Sequence, residues 1–264
     1  MQYLRNIMSN TIPIFIINME KDKERRAFMS RQMHDLGLHY EFVVGRAGDD
    51  PLVLAACDDA LAIKEHGKVL MKGEKGCAFS HRSIYEKMLK ENIKEALILE
   101  DDAVLPKDIF TILEKVLKEQ GRSWEWLSFD YPKIGFSFLS AWLIASKKMS
   151  KKNSMFLVYA GIKFPFIIIM SLYELLRDKL AEKYPVMSGP KLFYRPLYNA
   201  GAYIVTQDGI KKMMPLLVPI RFSADRTPNQ ARVKTGLKMR WYVPRIVHQA
   251  EEDFGNTFTS NTII

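Results

Sequence analysis

Three consecutive carboxylates, Glu100-Asp101-Asp102, follow the wholly apolar run Ala96-Leu97-Ile98-Leu99. Adjacent acids repel one another, and a solvated loop seldom sets them directly behind a buried strand. In open α/β sheets, ligands bind beyond the carboxyl ends of the strands, which is where these acids fall. An extended chain alternates its side chains, so the spacing predicts Glu100 and Asp102 on one side and Asp101 on the other. Asp102 is then placed to hold a hard divalent cation, Mn²⁺ or Mg²⁺, which typically binds one or two carboxylates together with substrate phosphates. Glu100 beside it faces a sugar or ribose hydroxyl. Acids with a purely structural role are the competing reading.

A second segment, Gly73-Glu74-Lys75-Gly76-Cys77-Ala78-Phe79-Ser80-His81, has glycines that allow close backbone approach to a ligand. Taken alone it is a weak signal, since it lacks the spacing of a phosphate-binding loop and no GxGxxG occurs. Cys77 reads as a small buried thiol before it reads as a nucleophile. His81, two turns into an apolar face, reads as a core histidine or one behind the site. A third cluster runs from Arg221 to Glu252, and between Lys211 and Arg245 nine basic residues surround a single acid, Asp225. An isolated carboxylate there stays ionised and serves as a base, a ligand or a salt-bridged structural group. His248, after the strand-like Arg245-Ile246-Val247, could complete a metal shell begun by Asp102, or be structural.

The elements that must position these groups alternate along the chain. Ile12 to Asn18 predicts a buried first strand, Asp22 to Leu36 an amphipathic helix stopped by Gly37, and Tyr40 to Val44 a second strand. One short helical patch is expected over Leu54 to Lys64, and a longer helix over Glu74 to Glu91. Ala96 to Leu99 is the third strand, Lys107 to Glu119 a helix begun by Pro106, and Trp124 to Phe129 a further strand. Alternation resumes with a strand over Ala202 to Thr206, a helix over Gln207 to Leu217, and late strands at Met239 to Val243 and Ile246 to Gln249. Strand, helix and strand in succession point to an α/β domain with a mostly parallel sheet. The expected division is an α/β part over residues 1–130, an insertion over 131–190, and the remainder of the α/β domain over 191–264.

The insertion breaks the pattern. Met155 to Leu176 is apolar and about long enough to span a bilayer, but Lys163 and Pro165 oppose insertion. Six lysines and no acid lie between Tyr131 and Tyr173. Such a surface suits anionic lipid, a buried helical hairpin or a homodimer contact. Across 264 residues the formal charge is +9, with 48% hydrophobic residues, which excludes a disordered tail, a collagenous fibre and a small disulfide-stapled module. The length admits one large domain or two small ones. The basic balance attracts polyanions. No zinc spacing, RNP-like motif or basic heptad region argues for nucleic acid. Two cysteines, Cys57 and Cys77, and no evident secretory signal make a reducing, cytoplasmic compartment the expectation.

With these pieces in order, the chain resembles the family 25 glycosyltransferases of bacterial lipopolysaccharide and lipooligosaccharide synthesis. The matching segments are Ile14 to Met19 with Arg25-Arg26, then Gly73 to His81, Leu97 to Ala103, Asn199 to Val205, and Pro244 to Gln249. Gly-Cys-x-x-Ser-His followed by Leu-Glu-Asp-Asp is a specific pairing. The resemblance implies a GT-A-like fold in which an α/β sheet holds a sugar nucleotide, UDP-galactose or UDP-glucose, through a metal at an acidic motif. It implies inverting transfer to a lipooligosaccharide core acceptor, by a protein peripheral on the inner face of the inner membrane. Carried onto this sequence, Asn18, Arg25 or Arg26, Ser80, His81 and Glu100 lie on the donor side. Asp102, with His248 as candidate partner, is expected to hold the metal, and Asp225, with Asp101 next, is the candidate base that deprotonates the acceptor hydroxyl. Asn199-Ala200 departs from the Gly-Thr of many relatives, and the apolar insertion is longer than the resemblance implies. A metal-dependent phosphohydrolase and a non-catalytic membrane scaffold are the rival classes.

Overall fold

A seven-stranded sheet runs through the molecule, and its strands come from both ends of the chain. The computed structural model describes residues 12–119, 121–131, 188–191 and 199–250, with isolated helical positions between 173 and 183. The described strands are β1 (Ile14–Asn18), β2 (Glu41–Val44), β3 (Glu95–Glu100), β4 (Ala103–Val104), β5 (Trp126–Ser128), β6 (Gly189–Lys191), β7 (Ala202–Thr206), β8 (Met239–Val243) and β9 (His248–Gln249). The main sheet has the order β2-β1-β3-β7-β5-β8-β6, while β4 and β9 form a separate two-stranded ladder. Five of the seven main strands run in one direction, with β7 and β6 reversed. The architecture is therefore a mixed α/β fold whose central sheet is mostly parallel and flanked by helices.

Those helices are α1 (Lys23–Leu36), α2 (Pro51–Ala56), α3 (Asp59–His66), α4 (Lys72–Lys90), α5 (Ile109–Lys118), α6 (Gln207–Leu217) and α7 (Arg226–Lys234). They bury two cores, one on each face of the sheet. Phe15, Ala96, Ile98, Trp126 and Tyr203 pack with Ala78, Ile84, Tyr85 and Met88 of α4 and with Ile210 and Met213 of α6. Ile14, Ile16, Leu97, Leu99, Leu127 and Ile204 pack with Met29 and Met33 of α1 and with Ile109, Leu113 and Val116 of α5. Successive residues of β1 and β3 thus alternate between the helix layers, as the period of two requires. Burial on both faces explains why these strands read as unbroken apolar runs.

Several expectations need correction. The single helical patch expected over Leu54 to Lys64 is two helices. Asp50 caps the first by accepting from Leu52 N–H, and Asp58 caps the second by accepting from Leu61 N–H. Each Asx cap starts a fresh helix. The helix expected from Lys107 begins at Ile109, because Pro106 to Asp108 form the turn that leads into it. α7, β4 and β6 have no counterpart in the sequence reading. Most of the 131–190 insertion, including the apolar stretch 155–176 and the six lysines, lies outside the described residues, as does 251–264. Among the described residues no helix is long and apolar enough to cross a membrane. Cys57 and Cys77 are free cysteines.

Candidate active site

The carboxyl ends of β1 and β3 lie side by side, with Ile17 in register with Glu100. β3 ends at Glu100, and Asp101-Asp102 form a turn before β4. That turn overrides the extended spacing expected of the triplet. Glu100 still follows Ala96 and Ile98 toward α4. Asp102 does not return to that side; it stays with Asp101, and both acids meet Arg25, from the first turn of α1.

Arg25 Nη1 donates to Asp101 Oδ1 at 2.6 Å, and its Nη2 donates to Asp102 Oδ2 at 2.8 Å. Asn18, at the end of β1, donates from Nδ2 to Asp101 Oδ2 at 2.7 Å and to Asp22 O at 3.3 Å. Both oxygens of Asp101, the second choice of base in the sequence reading, are engaged by Arg25 and Asn18. Asp102 Oδ1 and Asn18 Oδ1 differ. Each is buried with no hydrogen-bond partner among the described residues. A buried carboxylate oxygen left unpaired is costly and points to something that binds there. Burial pushes the Asp102 carboxyl up to about 7; the Glu100 charge adds to the rise and Arg25 opposes it. Burial also raises Asp101, against the pull of Arg25 and Asn18.

Glu100 occupies the other side. Its Oε1 lies 3.6 Å from Cys77 Sγ and 3.4 Å from His81 Nε2. Burial works against the ionised form of Glu100, yet the hydrogen bond and charge of His81, with Cys77 and Arg25, hold its carboxyl below the ordinary range. His81 Nδ1 shares a 2.7 Å hydrogen bond with the Tyr203 hydroxyl, which shares another of 2.7 Å with Tyr85. Burial pushes the Cys77 thiol well up, and the charges of Glu100, Asp225 and Asp102 push the same way. Asp225 precedes α7 and receives a 2.6 Å hydrogen bond from Ser223 on Oδ1.

Other expected groups fall elsewhere. Arg26 sits with its guanidinium 4.0 Å from the centre of the Phe42 ring on β2, so of the two arginines only Arg25 reaches the acids. Adjacent positions on a helix point about a quarter-turn apart, which forces that choice. Ser80 donates to Gly76 O at 2.7 Å and accepts from Arg46 N–H at 3.1 Å. At 2% exposure it clasps the loop after β2 against α4 and is not presented to a donor. Gly48 and Gly76 make that docking possible: a Cβ would fall 1.7 Å from Lys72 O at the first and 2.3 Å from Arg46 O at the second. His248 lies on β9 opposite Val104, while Asp102 O accepts from Ala250 N–H. The ladder brings His248 to the neighbouring strand from Asp102; among the described residues, a group of three metal-capable side chains lies at Cys77, His81 and Glu100.

Sequence reasoning missed Asp130, which follows β5 at the same sheet end. It is 1% exposed, lies 3.3 Å from Arg245 Nε, and accepts a 2.5 Å hydrogen bond from Asn199. Gly201 lies between it and Glu100: Gly201 O accepts from Glu100 N–H, and a Cβ on it would stand 2.7 Å from Asp130 Oδ2. The signal available was the one used for Glu100, an acid directly behind a buried strand.

A family model described as glycosyltransferase family 25 (LPS biosynthesis protein) matches residues 11–227, more than four-fifths of the chain. The chain belongs to glycosyltransferase family 25. It is 40% identical over 95 residues to a glycosyltransferase 25 family member of Aedes aegypti, covering 34% of this chain and 16% of that protein. It is 35% identical over 95 residues to one of Drosophila melanogaster, with the same two shares. To procollagen galactosyltransferase 1 of Danio rerio it is 27% identical over 122 residues, 43% of this chain and 20% of the relative. The aligned segment spans about a sixth to a fifth of the length of these curated relatives.

Proposed function

We propose that this family 25 chain transfers galactose or glucose from a uridine diphosphate sugar to a hydroxyl of a lipooligosaccharide core, with inversion at the anomeric carbon. The observation that carries the reading is Asp102 Oδ1, buried with no hydrogen-bond partner among the described residues, beside Arg25 and Asn18 at the carboxyl ends of β1 and β3. That placement suits a sugar diphosphate, and the galactosyltransferase among the relatives supports a hexose. The residues fit a hard divalent ion: Asp102 would hold it through the free oxygen, while Asp101 is committed to Arg25 and Asn18. Bound there, Mn²⁺ or Mg²⁺ supplies Lewis-acid neutralisation of the diphosphate.

This chain's own groups do the rest. Arg25 holds Asp101 and Asp102 and adds positive charge beside the diphosphate. Asn18 Oδ1 is placed to accept from the nucleotide. Asp225 accepts the proton of the acceptor hydroxyl as that oxygen attacks, leaving Glu100 to face the donor sugar or ribose. The +9 charge suits a phosphorylated acceptor at an anionic membrane surface on the cytoplasmic side. Product analysis tests the reading. Protein incubated with UDP-galactose or UDP-glucose, Mn²⁺ and lipooligosaccharide acceptor yields a β-linked hexose on the acceptor. Release of free sugar or phosphate at the same rate without acceptor would make it a hydrolase instead.

A further inference from the structure

Cys77 and His81 stand four residues apart on α4, so both side chains leave the same face of the helix. Glu100 enters that face from the end of β3. The three ligand atoms, a thiol sulfur, an imidazole nitrogen and a carboxylate oxygen, lie within 4.8 Å of one another. We propose that Cys77, His81 and Glu100 form a second metal site, of thiolate type, that binds Zn²⁺.

Geometry argues first. Zinc binds sulfur at about 2.3 Å, imidazole nitrogen at about 2.05 Å and carboxylate oxygen at about 2.1 Å, in tetrahedral sites. At the tetrahedral angle those bond lengths give a sulfur-to-oxygen edge of about 3.6 Å and a nitrogen-to-oxygen edge of about 3.4 Å. The separations in the structure are 3.6 Å from Cys77 Sγ to Glu100 Oε1 and 3.4 Å from His81 Nε2 to the same oxygen. The second of these is long for an N–H···O hydrogen bond, whose usual length is about 2.9–3.0 Å.

The surroundings are those of a ligating histidine. The His81 ring is fixed by the Tyr203 hydroxyl on Nδ1 and lies nearly parallel to the Tyr203 ring. Tyr203 is itself stacked on Trp126 at 3.6 Å and tied to Tyr85. A partner on the remote ring nitrogen that sets the orientation of the near one is the usual support of a metal-bound imidazole. Cys77 and Glu100 are only partly buried, so a fourth ligand, water or another donor, would complete the tetrahedral shell. On binding, the S–H bond of Cys77 breaks, an S–Zn bond forms, and the proton passes to water. Thiolate and imidazole donors select Zn²⁺ over the oxygen-seeking Mg²⁺ and Mn²⁺, which distinguishes this site from the oxygen of Asp102.

The test uses metal-free full-length protein titrated with Zn²⁺, and with Co²⁺ as a spectroscopic stand-in. The expected result is one Zn²⁺ per chain and a tetrahedral Co²⁺ spectrum with a thiolate charge-transfer band. Both are retained in Cys57→Ser, and the band is lost in Cys77→Ser. Losing an outer-shell partner already costs about 10–100-fold in metal affinity, so losing the thiolate weakens Zn²⁺ binding at least that much. Circular dichroism keeps the near-isosteric Cys77→Ser variant interpretable, and His81→Ala supplies an independent ligand deletion. An octahedral Co²⁺ spectrum, or Cys77→Ser with undiminished Zn²⁺ binding, would overturn the site. No nucleotide enters the titration, so its outcome is separate from that of the glycosyl-transfer reading.

Discussion

Arg25→Met removes one cation from between two buried acids while keeping most of the apolar stem. Arg25, Asp101 and Asp102 have side-chain exposures of 16%, 8% and 10%, so water replaces little of the lost interaction. Asp101 would keep Asn18, but Asp102 would have neither oxygen bonded to a described side chain. Breaking a buried pair by deleting one partner costs about 3–5 kcal/mol. Because Asp102 already titrates near 7, it sheds part of that cost by taking a proton, so the low end, about 3 kcal/mol, applies at pH 8. For a chain of this size that is a fall in Tm of about 6–12 °C. At pH 5 Asp102 in the variant carries a proton, and the loss shrinks toward about 1 kcal/mol, the worth of an ordinary hydrogen bond. Mn²⁺ at about 100 times its Kd restores about 2.7 kcal/mol at pH 8 if Asp102 takes the ion. Urea unfolding at the two pH values, with and without Mn²⁺, reads all three quantities. A loss below about 1 kcal/mol at pH 8, unchanged at pH 5, would show that Arg25 does not hold these charges.

Further expectations follow from the same geometry. The Asp102 carboxyl rises from 3.8 in the unfolded chain to about 7 in the fold, so between those values the folded state binds the extra proton. Its contribution to stability therefore falls as pH rises from about 4 to about 7 and stays low above, and Asp102→Asn flattens that slope in metal-free urea titrations. Gly76→Ala drives a methyl into Arg46 O and costs about 1–3 kcal/mol, with weaker nucleotide binding by calorimetry as the loop after β2 lifts from α4. Ser80→Ala loses the hydrogen bonds to Gly76 and Arg46 and costs about 1 kcal/mol in urea unfolding, with kcat little changed. Asp225→Asn lowers kcat by about 10²-fold or more while leaving donor affinity intact, measured by steady-state transfer and nucleotide titration.

Where hydrophobic pattern alone decides an element, the sequence suffices. β7, α6 and β8 fall on their expected residues because β7 and β8 are short, mostly apolar runs and α6 sets Ile210, Met213, Leu216 and Leu217 on one buried face at helical spacing. α7 escaped because Arg226–Lys234 has few apolar residues and holds Pro228; it is held by tertiary packing of Ala231, Thr227 and Pro228. The site was legible in its location and not in its wiring. An acidic triplet after a buried strand marks the sheet end, but only the turn at Asp101-Asp102 decides which acids share Arg25. The choice between Arg25 and Arg26 depends on the phase of α1 against β2, which no local spacing fixes. Cys77 and His81 offered an i, i+4 pair, yet nothing in the sequence aims Glu100 at it. Asp130, Asn199 and Arg245 meet only because β5, β7 and the segment after β8 lie side by side.

The central claim is that Asp102 and its neighbours grip a metal-bound sugar diphosphate. Isothermal titration of UDP-galactose and UDP-glucose into wild type and Asp102→Ala, each with and without Mn²⁺, addresses it most directly. Wild type is expected to bind one of these donors more tightly with Mn²⁺, and Asp102→Ala to lose that gain while remaining folded. Equal Mn²⁺-dependent binding in both proteins, or no binding of either donor to wild type, would contradict the account.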